Sequence, residues 1–600
     1  MIPGLYNFTF AIFFLISLNF IVRTILLRFK TKLNEANYLF GLITLIVFIS
    51  NINQLIIFFN PEFFFNNKII LKHLIRFFIT FASIFFLFLI LKKFFKKNSI
   101  KNIFQINYTF LINAYLFLLI FCSFSIVLDG DSLIYHIKIP YLISEGYKIS
   151  HFIDNIHFLL IGSFEIFNIL PLLIKIDNLN SILSVYFVTL FIAYLRRKKI
   201  KNKELLLLVI LSSPILFSLT LSQKPFIIPL IAQLVFCEVN FRRKFVNNFE
   251  TLLSFMALFA SMSMKLNFII SGGLILIIYF LYNYKPMLNI ESFKKIFLSF
   301  SIILLPILIF RYFSFGDPLA PFLNFLMSGI YPKDILINFA QSLETWNKNN
   351  LIFPFNLFWS NQIINLNNTL GFGLIVFLFQ KNIFQNKKIL FVALLLIIFN
   401  ILFVQQTSRF FLLPYLLLFL SLNFEKIKNV KFFKFLFSVK ILFFFIILSV
   451  FYVPALIKIN LFGNEATKEK IIFRYKALKI IENKIGVNNI IIFDNPNYYS
   501  KNIDIGRMII QYANSKEDLK DYINFINKLD PKYLVLTENE IKDKKFFNLK
   551  NQQIENFFIN CFNKEIYRFS INRASRKNLI SKNKENVNFF LYEKNKNCKF

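Results

Sequence analysis

The 600-residue chain is 56% hydrophobic with a mean hydropathy of +0.59, which excludes an ordinary soluble protein. Its apolar residues come in blocks long enough to cross a hydrocarbon core of roughly 30 Å. The formal charge of +36 is spread in short clusters between those blocks, which argues against a nucleic-acid-binding face and fits loops on one side of a membrane.

The first block, "LYNFTFAIFFLISLNFIV", has no basic leader and no small-residue cleavage site, and reads as a retained helix. Apolar blocks read against basic clusters predict spans near 4–27, 38–58, 75–91, 107–128, 181–195, 205–221, 225–240, 250–264, 267–283, 295–313, 365–381, 388–404, 409–423 and 438–456. Basic clusters at Arg28–Lys32, Lys92–Lys97, Arg196–Lys199, Arg242–Lys244, Lys294–Lys295, Lys387–Lys388 and Lys426–Lys434 follow alternate spans. The positive-inside rule places them in the cytoplasm, so the loops 129–180 and 314–364 and the C-terminal tail are expected to face outward. Residues 157–175, "HFLLIGSFEIFNILPLLIK", are apolar enough to span, yet a crossing there would invert the strongest charge signal. With Glu165 and Pro171 inside it, this segment reads as an outward-side helix lying along the membrane or dipping into it.

The expected fold is therefore a polytopic α-helical membrane protein of about 14 transmembrane helices with a C-terminal periplasmic α/β domain. Its regions are an N-terminal three-helix membrane part (1–106), a membrane core (107–457) and a soluble α/β domain (458–600). In the last, "YKALKIIENKIG" before "VNNIIIFD" and "KEDLKDYINFINKLD" before "PKYLVLTEN" each read as helix then strand, implying a partly parallel sheet. The tail 574–600 is Lys/Asn-rich, a composition that favours disorder. Cys122 and Cys237 fall in apolar spans as small buried thiols, whereas Cys561 and Cys598 would pair if the tail is extracytoplasmic.

The 86 phenylalanines, with many Ile, Asn and Lys, fit AT-rich coding and carry no individual functional weight. Chemistry is sought instead in ionisable groups at the outward ends of helices, where they are expensive to keep unless they face a polar cavity. They are Asp129, Asp131, Tyr135, His136 and Lys138 in "DGDSLIYHIKIP", Glu165, Lys265 in "SMSMKLNF", Arg311 and Asp317 in "RYFSFGDPLAPF", and Gln405, Gln406 and Arg409 in "QQTSRFFLLP". Each has a plain structural alternative. Asp129 caps a helix, Lys265 and Arg311 snorkel to headgroups, His136 packs on an apolar face, and "FGDPLAP" is a turn. Four histidines and no Cys/His grouping argue against zinc.

Four of these stretches in this order, "DSLIYHIKIP", "GSFEIFNIL", "GDPLAPFLNFLMSG" and "QQTSRFFLLP", resemble the GT-C superfamily of membrane glycosyltransferases, in particular its Rgt-like, protein-mannosyltransferase-like branch. The resemblance runs from about residue 107 to 457. It departs from the family in three extra N-terminal helices, in Asp317 where Asn is usual and in Phe410 where Tyr is usual.

The resemblance implies an inverting glycosyltransferase at the outer face of the bacterial cytoplasmic membrane. The donor would be a polyprenyl-phosphate-linked sugar and the acceptor a glycan, lipid or protein. In that scheme Asp131 is the general base, with Asp129 as runner-up, because displacement at an anomeric carbon needs a carboxylate to take the acceptor's proton. Arg409 and Lys265 hold the departing phosphate, while His136, Tyr135, Glu165 and Asp317 orient the donor. The resemblance fixes no cofactor, and two nearby aspartates would suit a divalent metal. Rival readings are a lipid-linked-glycan flippase or transporter, and an O-antigen polymerase or ligase.

Overall fold

The structure is a computed structural model. Apart from a few single positions, it describes residues 3–94, 108–124, 136–147, 156–242, 248–282, 290–319, 331–338, 353–358, 368–378, 384–403 and 407–453, with parts of 473–598. The chain is mainly helical. Helices α1 (Pro3–Arg28), α2 (Glu35–Phe59) and α4 (Lys68–Phe94) form the N-terminal region, with a single turn α3 (Phe63–Asn66) between the last two. Then come α5 (Tyr108–Cys122), α6 (Lys138–Ser144), a 3-10 turn (Ile156–Leu160), α7 (Ser163–Phe167), α8 (Ile169–Leu173) and α9 (Leu179–Arg197). Next are α10 (Lys203–Leu211), α11 (Pro214–Thr220), α12 (Ile227–Asn240), α13 (Asn248–Met264) and α14 (Asn267–Tyr282). The membrane core ends with α15 (Ile290–Ser299), α16 (Leu305–Phe315), α17 (Ile375–Leu378), α18 (Lys387–Phe403), α19 (Ser408–Leu420) and α20 (Val430–Ile447).

Among the described residues, five helices are long and apolar enough to cross a membrane: 9–28, 35–59, 179–197, 291–315 and 430–450. A sixth is added if α10 and α11, bent by 66°, act as one. The expected fourteen spans are therefore not what the structure gives. The reason is local: α5, α12, α14 and α19 are 13–16 residues long, and α10 is interrupted before Pro214 at the first position of α11. Apolar composition alone does not report such shortening or breaks.

At Pro306 and Pro414, which interrupt longer helical runs, the freed carbonyl is answered from a neighbouring helix. Pro306 leaves the Ile302 carbonyl without its partner four residues on; the chain widens to a π turn over Phe300–Leu304, and Asn51 of α2 donates to Ile302 O at 2.9 Å. Pro414 does the same to Phe410 O, which accepts from Asn400 of α18 at 2.8 Å. In apolar surroundings an unanswered carbonyl is strongly unfavourable, so these asparagines hold helices together.

Helix ends are cross-linked in two sets. At one end Arg197 pairs with Glu35 (2.5 Å), Lys434 with Glu204 (2.5 Å), and the 1%-exposed Glu238 carboxylate takes both Lys198 and Arg242. Arg242 also donates to Leu420 O. Four of the basic groups predicted to lie on one side thus converge with three carboxylates. The opposite helix ends, around residues 136, 165, 180, 265, 311 and 409, form the second set.

Residues 157–175 do not form a surface-lying helix. They break into the 3-10 turn, α7 and α8, and most of their side chains are buried inside the protein; α7 packs on α2, where Asn53 donates to Ile166 O at 3.2 Å. Its apolar residues read as membrane-facing because a buried protein interior has the same composition.

The C-terminal region holds α21 (Phe473–Ile485) and a five-stranded sheet of β1 (Asn489–Ile492), β2 (Ile503–Asp504), β3 (Tyr533–Thr537), β4 (Lys564–Arg573) and β5 (Glu585–Glu593), in the order β2-β1-β3-β5-β4. β1 runs parallel to β2 and β3, whereas β5 is antiparallel to β3 and β4. The expected disorder of 574–600 is corrected in part: "ENVNFFLYE" is a central strand whose Phe589 and Leu591 are buried. Alternation of apolar residues outweighed the Lys/Asn-rich composition around it. Cys561 and Cys598 are joined in a disulfide with Cα atoms 5.4 Å apart.

Candidate functional site

The second set of helix ends is built around one buried pair. Chain entry into α7 sets it: Glu165 lies three residues after Gly162, so its Oε2 accepts from the Gly162 N–H at 2.8 Å, the side-chain-to-backbone half of a capping box. Oε1 is then turned to His136 Nδ1 at 2.5 Å, with both side chains 1% exposed. His136 opens the α6 segment, so the contact ties the end of the "DGDSLIYHIKIP" stretch to the first turn of α7.

Both groups lie outside the helices long enough to span. Burial pushes the Glu165 carboxyl up to about 7, opposed by the Gly162 N–H and by the Lys265 and Arg311 charges. Burial also drives the His136 imidazole well below its usual range, and the positive charges of Lys265, Lys224, Arg409 and His157 push it the same way. One proton shared by the pair satisfies both directions, because a doubly charged or doubly deprotonated pair is disfavoured in a dry site.

Lys265, Lys224, Arg409 and His157 are thus within electrostatic reach of His136. Lys265, at the break between α13 and α14, lies over the Phe226 ring at 5.7 Å, and Arg409, in the first turn of α19, over Phe410 at 4.9 Å. A Cβ on Gly162 would stand 2.1 Å from the Met264 carbonyl oxygen, so the absence of a side chain there lets α7 approach the residue before Lys265. Lys224 is held by a polar network at the start of α9. Asn180 donates to Ser222 O (3.2 Å) and Lys224 O (2.8 Å), its N–H reaches Gln223 Oε1 (3.1 Å), and Ser181 donates to Ser123 O (2.7 Å) at the end of α5.

Arg311 neither snorkels nor offers itself to a ligand. It is fully buried and donates to Leu159 O (2.7 Å), Ile161 O (2.6 Å) and Pro318 O (2.8 Å), pinning the 3-10 turn and the 317–318 turn together. Asp317, also fully buried, accepts from the Leu319 N–H at 2.7 Å and supplies, with Glu165, negative charge toward Arg311. Both residues are positioning elements of the loop floor.

Of the sequence-derived candidates, His136 and Glu165 are in contact, Lys265 and Arg409 are in electrostatic reach of His136, and Arg311 feels the charges of Asp317 and Glu165. Asp129, Asp131, Tyr135, Gln405 and Gln406 lie outside the described residues. Lys138 is described and buried at the start of α6. Lys224 and His157 were missed, although Lys224 in "SQKPF" obeys the rule that selected Lys265: a lone cation at the same end of an apolar block. Among the described residues no group of three His, Cys, Asp or Glu side chains is placed to hold a metal ion. A buried proton-sharing pair with three cations in electrostatic reach favours an anion nearby and offers a group that can relay a proton. No protein-family model, no curated protein and no solved structure matches the chain.

Proposed function

We propose that the chain is an inverting membrane glycosyltransferase that uses a polyprenyl-phosphate-linked sugar and acts on a glycan, lipid or protein acceptor. The observation that carries this reading is the buried His136–Glu165 pair, which feels the positive charges of Lys265, Lys224 and Arg409 and follows the acidic residues Asp129 and Asp131 in the chain. Transfer from a lipid phosphate needs cations for the departing phosphate and a carboxylate base for the acceptor hydroxyl. In this reading Lys265 and Arg409 hold the phosphate. Asp131, or Asp129 in its place, takes the proton. A divalent cation between the two aspartates would serve the same phosphate.

Orientation belongs to the same proposal. The site end faces away from the cytoplasm, in keeping with basic clusters gathered at the other end and with a disulfide in the C-terminal region. The test is reconstitution in liposomes with a polyprenyl-phosphate sugar, comparing wild type with Asp131→Asn and Asp129→Asn. Loss of transfer in Asp131→Asn alone supports the assignment, and undiminished transfer in both overturns it. The 66° break between α10 and α11 favours one rival, a flippase, since broken helices are the usual gates of transporters. Lipid movement without transfer would decide for it.

A further inference from the structure

Helices α5 and α9 run antiparallel. Ser123, just past the end of α5, accepts from Ser181 at the start of α9 (2.7 Å), and Asn113 in the second turn of α5 meets Arg196 in the last turn of α9. Between these ends the two helices leave a groove of 410 Å³. One wall is Asn113, Leu116, Phe117 and Ile120, whose three- and four-residue spacing puts them on one face of α5. The other is the face of α9 that carries Thr189, Ala193 and Arg196. Seven residues of helix make the groove about 10 Å long. Its polarity is graded. The Thr189 hydroxyl is spent on Val185 O (2.8 Å) within its own helix, so the polar groups of the lining gather at the Asn113–Arg196 end. Towards the other end the walls are apolar, and Phe117 is 71% exposed.

The polar end lies where the basic helix ends collect, and there Arg196 differs from its neighbours. Arg197 is answered by Glu35, Lys198 and Arg242 by Glu238, and Lys434 by Glu204. Among the described residues no carboxylate answers Arg196. Its Nη1 donates to the neutral Asn113 Oδ1 at 2.6 Å, and its Nη2 is shut off from water without a hydrogen-bond partner. A charged donor held this way is unfavourable until an acceptor reaches it. A groove with an unneutralised guanidinium at one end and apolar walls along the rest complements a molecule that is anionic at one end and apolar at the other.

We propose that the α5–α9 groove is a site for an anionic phospholipid, with its phosphate on Arg196 and an acyl chain laid between Phe117 and Ala193. A rotation of the guanidinium toward the groove it lines presents Nη2 to the phosphate, and the small Ala193 side chain leaves room for the chain. α9 is one of the helices long and apolar enough to cross a membrane, so the phosphate sits at headgroup level and the chain points into the hydrocarbon. The inference does not rest on the transferase reading, and failure of the transferase assay leaves it intact.

The test uses the full chain purified in neutral detergent and mixed with equal amounts of phosphatidylglycerol and phosphatidylcholine of identical chains, the first retained lipid being read by native mass spectrometry. One cation near an anionic headgroup gives wild type about a fivefold preference for phosphatidylglycerol. Arg196→Gln should bring the two lipids to about equal retention, while Arg196→Lys and the distant basic control Lys387→Gln/Lys388→Gln keep the preference. Ala193→Phe, which fills the groove and leaves the guanidinium in place, should lose it as well. Preference retained in Arg196→Gln or in Ala193→Phe overturns the site, as does its absence from wild type. If millimolar inorganic phosphate strips the preference from wild type, a free anion is the ligand and the proposal fails. It fails equally if wild type is a dimer that Arg196→Gln splits, since a carboxylate of a second copy then fills the place.

Discussion

Replacing Glu165 by glutamine should convert a pH-insensitive site into a pH-sensitive one. In the folded wild type the carboxyl is raised to about 7 and the imidazole is driven down, so the pair carries one proton up to about neutrality. In the unfolded chain the carboxyl releases its proton near about 4.3, but the imidazole keeps one up to about 6.5. Raising the Glu165 pKa gives stability that is present below about 4.3 and lost as pH rises toward 7; lowering that of His136 gives stability present above about 6.5 and lost as pH falls. Between pH 5.5 and 7.5 the two oppose each other, so the wild-type contribution changes little. In the Glu165→Gln variant the carboxyl is gone and only the imidazole counts. The unfolded chain then binds a proton at pH 5.5 that the folded chain refuses, so the variant should be on the order of 1 kcal/mol less stable at pH 5.5 than at 7.5. Equilibrium unfolding in mixed micelles at the two pH values measures this, with wild type subtracting every other titration. A variant that tracks wild type at both values would refute proton sharing between His136 and Glu165.

Three further substitutions probe how the site is held. Gly162→Ala should lower stability by about 1–3 kcal/mol in the same assay, because the new methyl meets the Met264 carbonyl and backbone on both sides must move. Arg311→Lys keeps the charge but cannot reach three carbonyls at once, and a loss of about 2–4 kcal/mol is expected, seen as a lower unfolding midpoint and faster proteolysis near residues 156–161. Asn400→Leu leaves the Phe410 carbonyl unanswered beside Arg409, so about 1–2 kcal/mol of stability should go, together with a raised KM for the lipid donor if Arg409 holds its phosphate.

Much of this protein was legible from residue order. Long apolar blocks announced membrane helices, because hydrocarbon accepts only backbone that satisfies itself, and the alternating basic clusters foretold which helix ends meet: Arg197, Lys198, Arg242 and Lys434 do gather at one end. The rule that a charge at an apolar boundary needs a polar partner singled out His136, Glu165, Lys265 and Arg409 although they lie on four distant segments. Sequence did not reveal that 157–175 folds into the interior, since apolar residues facing protein and facing lipid have the same composition. Nor did it reveal that Arg311 spends its donors on three carbonyls, or that Asn51 and Asn400 answer prolines on other helices; such bonds join residues up to 251 positions apart. Local chemistry fixed which side chains had to find partners, and only the packing of the helices decided which partners they found.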